Sequence, residues 1–421
     1  MQDIADIIPH DSPEDMPVDV VLKALAQLTT PIDESEGVEI MDALGRIIYQ
    51  DVISTIDVPA HDNSAMDGYA FDGAMLLHAE PNGLELKVVG TALAGQAWPG
   101  QLRPGECLKI MTGAIMPAGV NTVVPQELCH TGPHGLVQFP SHSLRPGSNQ
   151  RLKGEDLQKG QVALQKGTRI TPAAAGLLAS LGQSVVRVYR PLKVAYFSTG
   201  NEILSLGDAP REGAVYDSNR YTVIGLLSNL GCEVIDLGVV RDDPQLLKEA
   251  FVQAADHADV IITSGGVSTG DADHTKSMMR ELGDMVFLNV AMRPGRPLAL
   301  GRLTRGAKTA MLFGLPGNPV AVMVSFLAFV KPALLQMMGC TEAPQPYIRA
   351  RSQELLRKKP GRTEYQRGVV TRNADGDLQV ISTGPQGSGL LRSMVQANGL
   401  MVLHHAQSTV QVGDWVDVML L

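Results

Sequence analysis

Aromatic side chains are scarce. Phe, Tyr and Trp make up 4% of the 421 residues, so any core must be mostly aliphatic. The four cysteines, Cys107, Cys129, Cys232 and Cys340, are widely separated and form no Cys-x-x-Cys pair. Neither a thiolate zinc site nor a disulfide framework is indicated, and reduced, buried or half-buried thiols are expected. Dense Lys/Arg runs are missing and the net charge is -9, so the basic stripe of a nucleic-acid binder is absent, although a local basic pocket stays open. The longest apolar run, near residues 320–330, is shorter than the ~20 residues of a bilayer span and is followed by Lys331-Pro332. Residues 1–15 are acidic and lack a basic-then-apolar leader pattern. Internal repeats and low-complexity segments are also lacking. A cytoplasmic protein with no nucleic-acid or membrane partner is expected.

What is present is length and punctuation. A chain of 421 residues favours two to four domains, and Gly 43 with Pro 26 implies many turns and short elements. Residues 16–28 carry apolar groups at helical spacing, and a mixed stretch covers residues 38–52. Residues 54–148 are rich in Gly and Pro, with short apolar runs at 86–89 and 108–111, which suits a small β-rich domain. Thr171 and Pro172 mark a helix start, and Gly182 stands just past its end. Residues 192–339 alternate between strands, expected at 194–197, 234–240, 260–263 and 310–313, and helices, expected at 218–230, 244–255, 274–282 and from Pro319 to just before Gly339. That alternation indicates a parallel sheet covered on both faces. Residues 347–421 alternate polar and apolar groups around turns at Asp375-Gly376 and Val412-Gly413-Asp414, as in a small β-barrel or sandwich.

The richest segment is Asp259-Val-Ile-Ile-Thr-Ser-Gly-Gly-Val-Ser-Thr-Gly-Asp-Ala-Asp273. A buried strand runs into a glycine- and hydroxyl-rich turn and then a helix. Backbone N–H groups at such a helix start bind anions, and Asp271 and Asp273 beside them suit a hard cation such as Mg²⁺. Ligands of parallel sheets sit at the carboxyl ends of strands. Ser198-Thr199-Gly200-Asn201-Glu202 and Arg241-Asp242-Asp243 lie at such ends too, so Glu202, Asp242, Asp243, Asp271 and Asp273 are expected at one rim. Each acid has a plainer reading as a helix cap: Asp273 for its own helix and Asp243 for the helix at Pro244.

Other segments admit two readings as well. Arg293-Pro-Gly-Arg296-Pro297 places two guanidinium groups on a rigid turn, fit for phosphate or another oxyanion, or simply solvated. Gly314-Leu-Pro-Gly-Asn-Pro319 is either an anion-binding loop or a plain helix start. Residues 62–70 read as an Asx-type turn, and Arg151-Leu-Lys-Gly-Glu-Asp156 as a surface salt-bridge cluster. The adjacent pair His404-His405 lacks nearby partners for a metal.

Seven motifs in order resemble the molybdopterin molybdenumtransferase family, that of MoeA and the gephyrin E domain. They are Asn63-Ser-Ala-Met-Asp-Gly-Tyr-Ala70, Ile110-Met-Thr-Gly-Ala114, Gly154-Glu-Asp156, Ser198-Thr-Gly200 with Glu202, Ser264-Gly-Gly-Val-Ser268, Pro294-Gly295 and Gly314-Leu-Pro-Gly-Asn-Pro319. The resemblance extends over residues 18–421. It implies a multidomain α/β and β fold with four parts. Residues 1–53 plus 148–190 would form an elongated helical domain for dimerisation, 54–147 an inserted β-rich domain, 191–342 an α/β molybdopterin-binding domain with a mostly parallel sheet, and 343–421 a β-barrel.

It also implies a homodimer with its site between subunits, insertion of molybdenum from molybdate into adenylylated molybdopterin, Mg²⁺ assistance and release of AMP. Asp67, Asp156, Glu202, Asp242 and Asp273 would be the acting acids, the last three as metal ligands. Thr112, Arg151, Ser198, Thr199, Gly200, Ser264, Gly265, Gly266, Ser268, Arg293, Arg296, Pro316, Pro319 and Ser388 would contact substrate. Relatives often carry Lys where this chain has Arg293 and Arg296, some carry Lys at Asn289, and His61 replaces a common aromatic residue. The adenylylating enzyme of the preceding step, with a similar α/β domain, and a non-catalytic molybdopterin-binding scaffold are the alternatives. Molybdopterin adenylyltransferase and cofactor-receiving enzymes are possible partners.

Overall fold

In a computed structural model, residues 4–8, 15–80, 83–266 and 274–421 are described. The central sheet has six strands, β1 (Lys193–Thr199), β2 (Glu233–Val240), β3 (Val260–Ser264), β4 (Asp284–Asn289), β5 (Pro297–Arg305) and β6 (Lys308–Leu315), in the order β2-β1-β3-β6-β5-β4. The first four in that order are parallel, and β5 and β4 add on antiparallel. The parallel strands match the expected ones. The antiparallel pair was not expected, because its arginines and Pro297 break the apolar run that announces a buried strand.

Alternation of side chains splits the core between the two faces of this sheet. Val194, Tyr196, Val260, Ile262 and Phe313 pack on one face with Val223, Leu227 and Val320–Leu334 residues. Ala195, Phe197, Ile261 and Leu312 pack on the other with Leu247, Phe251 and Ala254. The helices between strands begin where their caps dictate. Ser218–Asn229 starts after Asp217, whose carboxylate accepts from Arg220 N–H, and Pro244–His257 starts after Asp243, which accepts from the Gln245 and Leu246 amides. Asp243 is therefore a helix cap.

The helix expected from Pro319 to just before Gly339 runs on through Lys331-Pro332. A π-turn over Phe326–Val330 joins Pro319–Ser325 to Lys331–Met337, and the wider turn accommodates the proline ring that an unbroken α-helix would clash with. The resulting 19-residue helix is long and apolar enough to span a bilayer, yet 67% of it is buried in the protein core.

Two-stranded ladders tie residues 35–64 to 150–189: Ser35–Glu39 with Val185–Tyr189, Val52–Ile53 with Val162–Leu164, and Asn63–Ser64 with Gln150–Arg151. The discontinuous segment is thus built from paired strands as much as from helix Pro172–Ser180, rather than being mainly helical. Out-and-back passage of the chain puts these segments side by side, and pairing satisfies their backbone groups. Helix Val18–Leu28 instead packs on the helices that follow Pro319. Between the ladders sits a six-stranded sheet whose strands include Gly68–Phe71, Leu84–Ala92, Glu106–Ile110 and Thr122–Pro125. At the end of the chain, Ile348–Ser352, Thr363–Arg372, Leu378–Ser382, Gly399–Leu403 and Trp415–Leu420 close into a five-stranded barrel. Closure leaves no free edge.

Candidate active site

The carboxyl ends of β1, β3 and β6 open into a cleft of about 830 Å³, the size of a small-molecule site. Thr199, Gly200, Asn201 and Glu202 enter it from the end of β1, Asp242 from the loop after β2, Gly265 and Gly266 from β3, and Pro316 from β6. The turn between β4 and β5 adds Arg293 and Arg296, and the barrel adds Arg362 and Ser388.

Glu202 folds back over the backbone of Gly200. A Cβ at position 200 would lie 2.7 Å from both carboxylate oxygens, and Gly200 has φ +146. Gly265, at φ +90, passes so close to β1 that a Cβ there would lie 2.4 Å from the Thr199 carbonyl oxygen. These two glycines let the strand ends crowd together under the acids. The Asp242 amide donates to Asn201 Oδ1 at 3.3 Å, which fixes its loop against the one carrying Glu202. Asp242 Oδ1 is buried and has no hydrogen-bond partner. A buried carboxylate oxygen without a donor, in a cleft shared with a second carboxylate, fits an oxygen-seeking cation such as Mg²⁺. Among the described residues, no three His, Cys, Asp or Glu side chains group to hold a metal. Ser268, Asp271 and Asp273 lie outside the described residues.

Ser198 and Ser264, expected to contact substrate, do not line the cleft. Their side chains are 2% exposed, face each other across β1 and β3, and hydrogen-bond to Tyr196 Oη at 2.9 and 2.7 Å. Strand alternation turns them to the face that holds Tyr196, under the cleft floor. Burial pushes the Tyr196 hydroxyl above the usual tyrosine range, so it remains a neutral partner to both serines. Pro319 opens its helix without lining the cleft, whereas Pro316 does line it.

The same cleft is lined by arginines. Arg296 and Arg362 share the carboxylate of Asp15. Arg362 was not singled out from sequence. Its signal was available: Pro360-Gly-Arg362 repeats Pro294-Gly-Arg296, and the two segments meet where Met292–Arg293 pairs with Thr363 and Glu364. Gln386 and Gly387 were missed as well. They line the cleft because Arg367, fully buried, donates to the carbonyls of Pro385, Gln386 and Gly387 and to Ser393 Oγ. The Ser388 carbonyl then accepts the Val320 amide at 3.0 Å and ties the barrel to the helix after β6.

A second group of expected residues stands apart from this cleft. Asp67 Oδ1 accepts both the amide and the hydroxyl of Thr112 at 2.7 Å. The amide bond, then the hydroxyl, hold its carboxyl below the usual range. Arg151 pairs with Asn63 in a short ladder, and the Asp156 amide donates to the Val58 carbonyl at 3.1 Å. Asp67, Thr112, Arg151 and Asp156 do not line the cleft of the same chain.

Three family models match in succession: the MoeA N-terminal region (domain I and II) over residues 16–182, a probable molybdopterin binding domain over 195–336, and the MoeA C-terminal region (domain IV) over 349–421. A Haemophilus influenzae protein named molybdopterin molybdenumtransferase is 39% identical over 397 residues, covering 94% of this chain and 96% of its own length. The chain belongs to the molybdopterin molybdenumtransferase family. Another member, from Nostoc, is 36% identical over 94% of this chain and 91% of its own length. The crystal structure of a molybdopterin biosynthesis MoeA protein from Pyrococcus horikoshii superposes with a TM-score of 0.81 at 28% identity, covering 97% of this chain and 100% of that one. Within the molybdopterin molybdenumtransferase family framework, the cleft joins two matched regions: its acids and glycines belong to the probable molybdopterin binding domain, and Arg362 and Ser388 to the MoeA C-terminal region.

Proposed function

We propose that this chain transfers molybdenum from molybdate into adenylylated molybdopterin, with Mg²⁺-dependent release of AMP. The observation that carries the reading is one cleft lined by both carboxylates, Glu202 and Asp242, and three arginines. Oxygen donors and guanidinium groups together suit a substrate that carries phosphates and an oxyanion. Glu202 and Asp242, with Asp273, would hold Mg²⁺, which when bound offsets charge on the phosphoanhydride as it breaks. Thr199, Gly200, Gly265 and Gly266 present a narrow loop surface for the nucleotide or pterin phosphate. Arg293, Arg296 and Arg362 orient phosphate or molybdate oxygens. Pro316 and Ser388 shape the end of the cleft where the barrel meets the α/β domain.

Residues 1–53 plus 148–190, 54–147, 191–342 and 343–421 serve as the four domains in this reading, and two copies of the chain form the working unit. Exposed apolar side chains on the paired-strand region support a homodimer, among them Met41, Leu44, Ile53, Leu152, Val162 and Val185. Asp67, Thr112, Arg151 and Asp156, which stand outside the cleft of their own chain, would complete the cleft of a second copy. The protein would work in the cytoplasm, receive substrate from molybdopterin adenylyltransferase and pass product to cofactor-requiring enzymes.

The test is AMP release from adenylylated molybdopterin with and without molybdate and Mg²⁺. Release that needs both supports the reading. Binding of that substrate without AMP release, by dimeric protein, sinks it. Consumption of ATP with plain molybdopterin would move the chain to the preceding step.

A further inference from the structure

Asp15 does not itself line the cleft but reaches two of its arginines by a fixed backbone route. The Met16 amide donates to the Asn289 carbonyl at 2.7 Å, and the Ala291 amide donates to the Met16 carbonyl at 2.7 Å, so the residue after Asp15 is stitched to the end of β4. Met16 is buried in the core, which anchors the stitch. From there the Asp15 carboxylate spans two cleft arginines. Arg296 Nε and Nη2 donate to Oδ1 at 3.0 and 2.7 Å, and Nε also reaches Oδ2 at 3.1 Å. Arg362 Nη2 lies 3.3 Å from Oδ2. The carboxylate is covered, at 16% side-chain exposure, while Arg296 and Arg362 are about half exposed at 48% and 50%. Arg293 makes no ion pair among the described residues. Two guanidinium forks around one anion is the arrangement that a tetrahedral oxyanion takes in such sites.

We infer that Asp15 is an internal occupant of the arginine subsite, whose carboxylate a tetrahedral oxyanion must displace to engage Arg296 and Arg362. The inference rests on reading the cleft as an oxyanion site. The incoming oxyanion is free molybdate or the phosphate ester of the substrate, since both offer oxygens to the same donors. In either case Asp15 weakens capture: the ligand gains two guanidinium contacts only by breaking contacts already made.

Dissociation constants for molybdate, inorganic phosphate and phenyl phosphate are measured by calorimetry on the full chain and on Asp15→Asn. A melting curve checks that the variant is folded, and Asp15→Ala provides a second folded test if the first is not. Removing the competing charge should tighten binding about fivefold, as suits a partly exposed pair. The gain should vanish in an Arg296→Ala, Arg362→Ala background. Tightening for molybdate alone assigns the subsite to the metal oxyanion, and tightening for phenyl phosphate assigns it to the substrate's ester. Unchanged or weaker binding in Asp15→Asn, or no binding by either protein, overturns the inference. AMP release, measured separately, reports on the wider functional reading, so the two can fail independently.

Discussion

Replacing Gly200 with alanine tests the placement of Glu202 without touching the carboxylate itself. The new Cβ would start 2.7 Å from both Glu202 oxygens. Non-bonded heavy atoms settle at ~3.5 Å or more, so the carboxylate must retreat by about 0.8 Å. Alanine at φ +146 is also strained, at roughly 1–3 kcal/mol. That is a modest part of the ~5–15 kcal/mol that typically holds a domain together, so the variant folds with a lowered melting temperature. A reacting constellation displaced by ~1 Å loses about a hundredfold in rate. Gly200→Ala should therefore retain its fold by circular dichroism, release AMP about a hundredfold more slowly, and need more Mg²⁺ for half-maximal rate. Glu202→Gln should lose at least as much, with no strain. If Gly200→Ala turned over within a few-fold of the parent at ordinary Mg²⁺, the position of Glu202 would not matter and the metal-binding role given to it would be wrong.

Other consequences follow from the same geometry. Burial pushes Cys107 and Cys232 up to about 12 and Cys129 up to about 11, so at pH 8 all three remain thiols. Iodoacetamide should leave them unmodified in native protein and alkylate them in denaturant, as mass spectrometry would show. The carboxyl of Asp67 is held below its ordinary value by Thr112, so its contact stabilises the fold above the unfolded Asp value and is lost as pH falls through the lower folded value. The Thr112 amide resonance should titrate with a midpoint below ~3.9, and a midpoint at or above that value contradicts the hydrogen bonds. Arg367→Ala would leave the carbonyls of Pro385, Gln386 and Gly387 without their donor, at a cost of about 3 kcal/mol in denaturant unfolding, and would loosen the loop that carries Ser388.

Much of the fold was legible because its signals are local. Pro172, Pro244 and Pro319 mark helix starts, and Thr171 and Asp243 cap two of those helices with their side chains. The parallel strands announce themselves as short apolar runs because both of their faces are covered. The antiparallel strands β4, at the sheet edge, and β5, beside it, were missed because Asp284, Arg302 and Arg305 interrupt their apolar pattern. The helix from Pro319 to just before Gly339 was legible as well, although nothing in its apolar pattern announced the π-turn at Phe326–Val330.

The site divides in the same way. Glu202, Asp242, Gly200 and Gly265 could be named from sequence because each sits on a strand end or loop whose chemistry is contiguous. Sequence alone also determined which acids are available, that anion donors accompany them, and which family the motifs resemble. Tertiary structure decided which of these groups meet. It buried Ser198 and Ser264 beneath the floor with Tyr196, made Asp243 a cap, and brought Arg362 from the barrel and Asp15 from the start of the chain to Arg296. It also left Asp67 and Asp156 outside the cleft of their own chain. The reason is physical. Strand ends and caps depend on neighbours a few residues away, whereas the Asp15–Arg296 contact joins groups 281 residues apart and exists only once the sheet, the barrel and the first helix have packed together.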